Sequence, residues 1–156
     1  MKQLKLILIL FIVILKSFGQ NIKPSELIKM STFSKETFDS YMQIKGYQLN
    51  KTSNNDEGFN ASYLYQNKDV IRFCSHREYK DGKILITYET YDNTDYNFSR
   101  ETIKKFGFKL VKTKTLDDGA LVFHFRKGND IFALISWVEN GRNAYEIAYK
   151  KNYYSE

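Results

Sequence analysis

Cysteine occurs once in this chain, at Cys74, so no internal disulfide can form and packing alone must hold the fold. Proline is confined to Pro24, and no low-complexity stretch supplies a linker, which leaves a chain folded throughout. Histidine occurs only at 76 and 124, with no CxxC or HxxxH spacing, so the pattern of a metal centre is missing. No glycine-rich phosphate loop and no GxSxG elbow occurs, and no cofactor is implied. Past the first twenty residues, Lys and Arg are interleaved with acids. The basic stripe expected of a nucleic-acid binder is absent, and no nucleic-acid partner is expected. The longest apolar run, Leu6 to Leu15, is about half of what spans a bilayer, so no membrane span is expected in the mature protein.

That run suits a secretory signal instead. Lys2 and Lys5 give a positive start, and Ser17-Phe18-Gly19 places small residues where a signal peptidase reads them. Residues 1–19 are therefore expected to be removed on export, to the periplasm or the extracellular space. No Cys follows the run, which excludes lipoprotein processing. Lys2, Lys5 and Lys16 leave with the signal and no acid does, so the +6 of the whole chain falls to +3.

What is plentiful is aromatic residues, 16% of the chain, and an internal echo. Shifted by 61 residues, Gly46 to Glu78 lands on Gly107 to Glu139. Nine of 33 positions coincide: Gly46/Gly107, Leu49/Leu110, Lys51/Lys112, Thr52/Thr113, Asp56/Asp117, Gly58/Gly119, Asp69/Asp130, Ser75/Ser136 and Glu78/Glu139. The echo predicts a tandem duplication.

Each copy reads as a helix followed by four strands. A short helix is expected near Pro24 to Met30. A longer one runs from Ser34, its cap, to Gly46, with Phe38, Tyr41, Met42 and Ile44 as its apolar stripe. The second copy is expected to open at Ser99 and close at Gly107. Acid-acid-Gly clusters at 56–58 and 117–119 read as turns, because the spaced oxygen ligands of a calcium loop are lacking. Asp81-Gly82 and Asn140-Gly141 read as two-residue hairpin turns. The expected fold is α+β: a tandem repeat of helix plus four-stranded antiparallel meander, residues 20–92 and 93–156, with the helices packed on one face of the sheet.

Two-residue turns fix register, and register fixes faces. The helix-covered face is expected to collect Leu121, Phe123, Phe125, Phe132, Leu134, Tyr145, Ile147 and Tyr149 in copy two. In copy one it takes Leu64, Ile71, Phe73 and Tyr88. The opposite face would then carry both histidines, the only tryptophan and two arginines. Tyr63, Tyr65, Arg72, His76, Glu89, Tyr91, Arg126, Trp137 and Glu146 are its candidate contact residues, a mixture of aromatics and Arg typical of interface hot spots.

On the core Gly46–Glu78/Gly107–Glu139, the organisation resembles the beta-lactamase inhibitor protein type of architecture, although this chain lacks the paired cysteines of that family. The resemblance implies one curved sheet whose concave face grips a partner protein. The chain is also similar to small exported bacterial proteins with no assigned role. The expected function is a non-enzymatic interaction protein binding a protein partner through the open face. A binder of a small molecule or glycan is the alternative. A third reading is a Cys-dependent enzyme built on Cys74, His76 and Glu89, with Cys74 opposite Glu89. Against it, residues i and i+2 on a strand hold their side chains parallel, and no oxyanion hole is in view.

Overall fold

A computed structural model describes residues 21–153; the expected signal sequence lies outside the described residues. Among the described residues, three helices start where local chemistry supplies a cap or a proline. Helix α1 (Pro24–Met30) begins on its proline, and the Glu26 carboxylate accepts from the Lys23 amide at 2.8 Å. Helix α2 (Lys35–Ile44) starts at Ser34, whose hydroxyl accepts from the Thr37 amide at 3.2 Å, and it buries Phe38 and Met42. Ile44, expected in that stripe, is 84% exposed. Helix α3 (Asn93–Lys105) starts six residues earlier than Ser99 would predict. Asp92 caps it, accepting from the Thr94 amide at 2.7 Å, and Ser99 is a buried mid-helix residue.

The strands are β1 (Gln48–Asn55), β2 (Gly58–Asn67), β3 (Val70–Tyr79), β4 (Ile84–Thr90), β5 (Lys109–Thr115), β6 (Leu121–Lys127), β7 (Asp130–Glu139) and β8 (Arg142–Lys151). They form one open antiparallel sheet in the order β1-β2-β3-β4-β8-β7-β6-β5. Each meander is built from neighbouring strands, and the two join where their last strands pair, Glu89 opposite Glu146 and Tyr88 opposite Ile147. β1 and β5 are therefore the two edges. Both carry a register shift, at Leu49/Lys51 and at Leu110/Lys112.

The helices contact one side of the sheet, α1 and α3 over β4 and β8 and α2 beside β1. Leu27, Met30, Phe38, Met42, Tyr88, Ile103, Phe132, Leu134 and Ile147 make the buried core between them. A polar knot ties α3, the helix of the second unit, to the first meander's side of the seam. Asp95 accepts from Arg72 on β3 at 3.2 Å and from the Tyr88 hydroxyl on β4 at 3.0 Å. No helix among the described residues is long and apolar enough to cross a membrane.

One hairpin overturns half of the expected face assignment. Asn140-Gly141 has positive φ at both residues, +50° and +75°, and sets Glu139 opposite Arg142, as a two-residue turn of this type should. Between β3 and β4 the loop has three residues, Lys80 to Gly82. The Tyr79 amide donates to the Lys83 carbonyl, the Gly82 amide to the Tyr79 carbonyl, and Gly82 alone takes positive φ, +79°. The Asp81 carboxylate accepts from the Lys83 amide at 3.2 Å and holds this tighter form. Glu78 then faces Ile84, and Cys74 faces Tyr88 rather than Glu89. One extra loop residue inverts β2 and β3 relative to β4.

Candidate functional site

The inversion sends four of the nine candidate contact residues into the core. Tyr63, Tyr65, Arg72 and His76 lie on the helix-covered face at 3%, 7%, 7% and 2% exposure. Tyr63 donates to Asp39 of α2 at 3.1 Å, Arg72 pairs with Asp95 of α3, and His76 stacks on Phe38 with ring centroids 4.8 Å apart. Leu64, Ile71 and Phe73, expected in the core, take their places on the helix-free side, where Ile71 is 38% exposed. The other five candidates, Glu89, Tyr91, Arg126, Trp137 and Glu146, stand where the turn signals placed them. Their registers pass through Asn140-Gly141 or belong to β4, and neither depends on the β3–β4 loop.

The inversion also dismantles the Cys74-His76-Glu89 arrangement. Glu89 pairs with Phe73 and stands on the opposite side of the sheet from Cys74 and His76. Cys74 is fully buried, and burial pushes its thiol far above its ordinary pKa, so it stays protonated. Both His76 ring nitrogens lack hydrogen-bond partners, and burial lowers the imidazole's pKa. No group of three or more metal-ligating side chains assembles among the described residues.

On the helix-free face, register builds three rows across the strands. The first reads Leu64, Phe73, Glu89, Glu146, Ile135, Val122 and Lys114 from β2 to β5. The second is low: Ser62, Ser75, Thr87, Ala148, Ala133, His124 and Lys112. Thr87, Ala148 and Ala133 are at most 8% exposed although none of the described helices covers them, because the taller rows stand on either side. The third carries Arg77, Leu85, Lys150, Ile131, Arg126 and Lys109.

The centre of this face is an acid pair. Glu89 and Glu146 oppose each other across the β4–β8 seam, between Phe73 and Ile135, and neither enters a hydrogen bond or ion pair among the described residues. Partial burial and then the Glu89 charge push the Glu146 carboxyl up to about 7, against an opposing pull from Lys150. Burial and the Glu139 charge raise Glu89 as well. Like charges directly opposite on neighbouring strands destabilise a sheet, so this pair is a cost that the fold carries.

Aromatic groups flank the acids toward one end. Tyr91, 42% exposed, donates to Glu139 at 2.6 Å. It shares a hollow of about 380 Å³ with Asp69, Ile71, Asn140 and Arg142. Trp137 is half-buried, opposite Ala144; the hollow of about 520 Å³ that it borders is lined chiefly by Leu121, Ser136, Asn143 and Tyr145 and opens on the helix-covered side at the sheet's end.

Sequence reasoning passed over the cations at the opposite end. Lys109 and Lys112 are three apart and would alternate sides on a regular strand. The bulge at Val111 turns both, with Lys114, to the helix-free side, beside His124, Arg126 and Lys150. The signal that could have found them is the run from Thr102 to Leu116, which holds five lysines and no acid.

Compared with family models, curated proteins and solved structures, the chain matches none.

Proposed function

We propose that this chain is an exported, non-enzymatic interaction protein that binds a protein partner through the helix-free face of its sheet. The reading rests on the acid pair. Two carboxylates held opposite each other without partners cost stability, and a partner's Arg or Lys seated between them would relieve that cost. Tyr91 and Trp137 on the same face supply large, amphipathic contact area of the kind that dominates interfaces. Arg126 would serve the rim. The resemblance to the beta-lactamase inhibitor protein type adds the idea of a sheet face gripping a partner.

We infer also that the two α-β4 units, 20–92 and 93–156, arose by duplication. Gly46 and Gly107 end their helices at φ +82° and +83°, and the edge strands shift register at positions 61 apart, which supports common descent. Past the β1–β2 and β5–β6 turns the matched residues no longer share a face, although Lys51 and Lys112, beyond the bulges, still do. Ser75 bonds Thr87 on the helix-free side, while Ser136 pairs with Tyr145 on the covered side. Turn lengths that differ by one residue account for this divergence.

The test is affinity capture with the tagged full chain from envelope and culture fluid at pH 6 and pH 8, beside Trp137→Ala and Glu89→Gln/Glu146→Gln. A stoichiometric protein retained more strongly at pH 8, and lost with both variants although neither melts below the unsubstituted chain, is the expected outcome. The pH direction follows from Glu146, which must be ionised to hold a cation and titrates at about 7. A partner retained equally by the acid-pair variant would sink the reading. No retained protein, with melting shifts on added glycans that the Tyr91 hollow accounts for, would move it to a small-ligand binder.

A further inference from the structure

The β5 edge carries a second chemistry, independent of the partner reading above. Of the five lysines between Thr102 and Leu116, Lys104 is paired with Glu101 at 2.9 Å. Lys105, Lys109, Lys112 and Lys114 are exposed, and none of the ion pairs among the described residues engages them. The bulge puts three of these on one side of an edge strand. His124, beside them, has its pKa lowered by burial and then by Lys150, Lys112 and Lys114 together, a sign that positive potential accumulates there. Asp117 and Asp118, the next acids in the chain, lie beyond the strand's end.

Exposed apolar side chains lie in the same segment: Val111 at 57%, Leu110 at 51% and Phe106 at 36%. A bulge and a lysine on an edge strand ordinarily serve to block pairing with another sheet. The other edge, β1, already does this with its own bulge, the single Lys51 and mostly polar neighbours, and has Asn50 at its bulge where β5 has Val111. Four exposed lysines with an apolar bulge exceed what edge protection requires. They are the two signals, charge and apolar insertion, that together hold a protein reversibly on a lipid surface.

We propose that the β5 edge docks edge-on against an anionic membrane surface, with Val111 at the bulge, Leu110 from the helix-covered side and Phe106 entering the headgroup layer, and with Lys109, Lys112 and Lys114 from the helix-free side, together with Lys105, meeting acidic lipid headgroups. The exposed Leu110-Val111 pair favours lipid over a free polyanion, which offers nothing for apolar side chains to enter.

The experiment uses the full chain carrying Val111→Cys and a polarity-sensitive fluorophore; Cys74 is 0% exposed and stays unlabelled. It is mixed at low salt with phosphatidylcholine vesicles, with and without phosphatidylglycerol. The expected result is a blue shift on the phosphatidylglycerol vesicles only. Adding Lys112→Gln and Lys114→Gln should weaken the response roughly thirtyfold, about 1 kcal/mol for each lysine removed. An unshifted fluorophore on both vesicles overturns the proposal, because an edge seated in the headgroup layer must carry its label out of water. An equal shift on both vesicles, or one indifferent to the lysine substitutions, removes the role of charge and overturns it too. Binding to a short DNA duplex that depends on the same lysines, with no vesicle response, would reassign the edge to soluble polyanions.

Discussion

Two ionisable groups place opposite demands on the pH of this protein. Glu146 has its pKa raised from 4.5 to about 7, so the folded state holds its proton more tightly than the unfolded chain does. Its contribution is fully present below pH 4.5 and is lost as pH rises through about 7. Glu146→Gln should therefore stabilise the protein at pH 8 by roughly 1–3 kcal/mol and much less at pH 5. Urea unfolding at the two pH values checks this. His76 acts from the other side. Its ordinary value of 6.5 is lowered by burial first, with Glu78 pulling upward and Lys35 downward, so the folded state resists protonation. Stability on its account is present above pH 6.5 and declines as the pH falls below that value. His76→Phe, which keeps a ring to stack on Phe38, should flatten the acid limb of the stability curve. An unchanged acid limb would mean that other groups drive acid unfolding.

At the scale of elements, turns and caps carry the specificity. Gly58 opens β2 at φ +141°, and a Cβ there would stand 2.0 Å from the Glu78 carbonyl oxygen on β3. Gly119, its partner in the 61-residue echo, has φ +84° and nothing within 4 Å. Gly58→Ala should accordingly cost several kcal/mol or prevent folding, since sheet backbone must give way. Gly119→Ala should cost about 1–2 kcal/mol, the ordinary penalty of a left-handed residue with a side chain. Thermal melts of the two variants compare them directly, and similar losses would mean that the echo extends to the environments of these glycines. Helix α3 depends on Asp92 in the same local way: Asp92→Ala should lose about 1 kcal/mol, read from the shift in the urea midpoint at unchanged slope. Ser99, which looks like a cap in the sequence, is not one because Asp92 lies about two turns upstream, with helix-compatible residues between.

For the molecule as a whole, the decisive contact is the β4–β8 seam. It makes one sheet of two meanders, and α3 rivets it from the covered side through Asp95, Arg72 and Tyr88. The halves should therefore unfold together. The chain supplies its own probes, Trp137 on β7 in one half and the buried Cys74 on β3 in the other. Trp fluorescence and Cys74 thiol accessibility, followed through the same urea series, should share one midpoint. Two separated midpoints would show that each meander is its own folding unit.

Local sequence determined the elements: the Ser34 cap, the positions of the strands, the Asn140-Gly141 turn and with it the facing of β6, β7 and β8. These rest on neighbours a few residues apart, where side-chain chemistry dictates backbone shape. Only the tertiary structure decided which side of β2 and β3 meets the helices, because strand parity inverts with a single loop residue and Asp81-Gly82 is compatible with either loop. The aromatic pattern could not arbitrate, since Tyr63 and Tyr65 on one side and Leu64 and Phe73 on the other suit a core equally well. The meeting of Glu89 with Glu146, and of Lys109 with Lys112 and Lys114, was likewise decided in space. One depends on strands 57 residues apart choosing each other across the seam, the other on a bulge that no residue type announces.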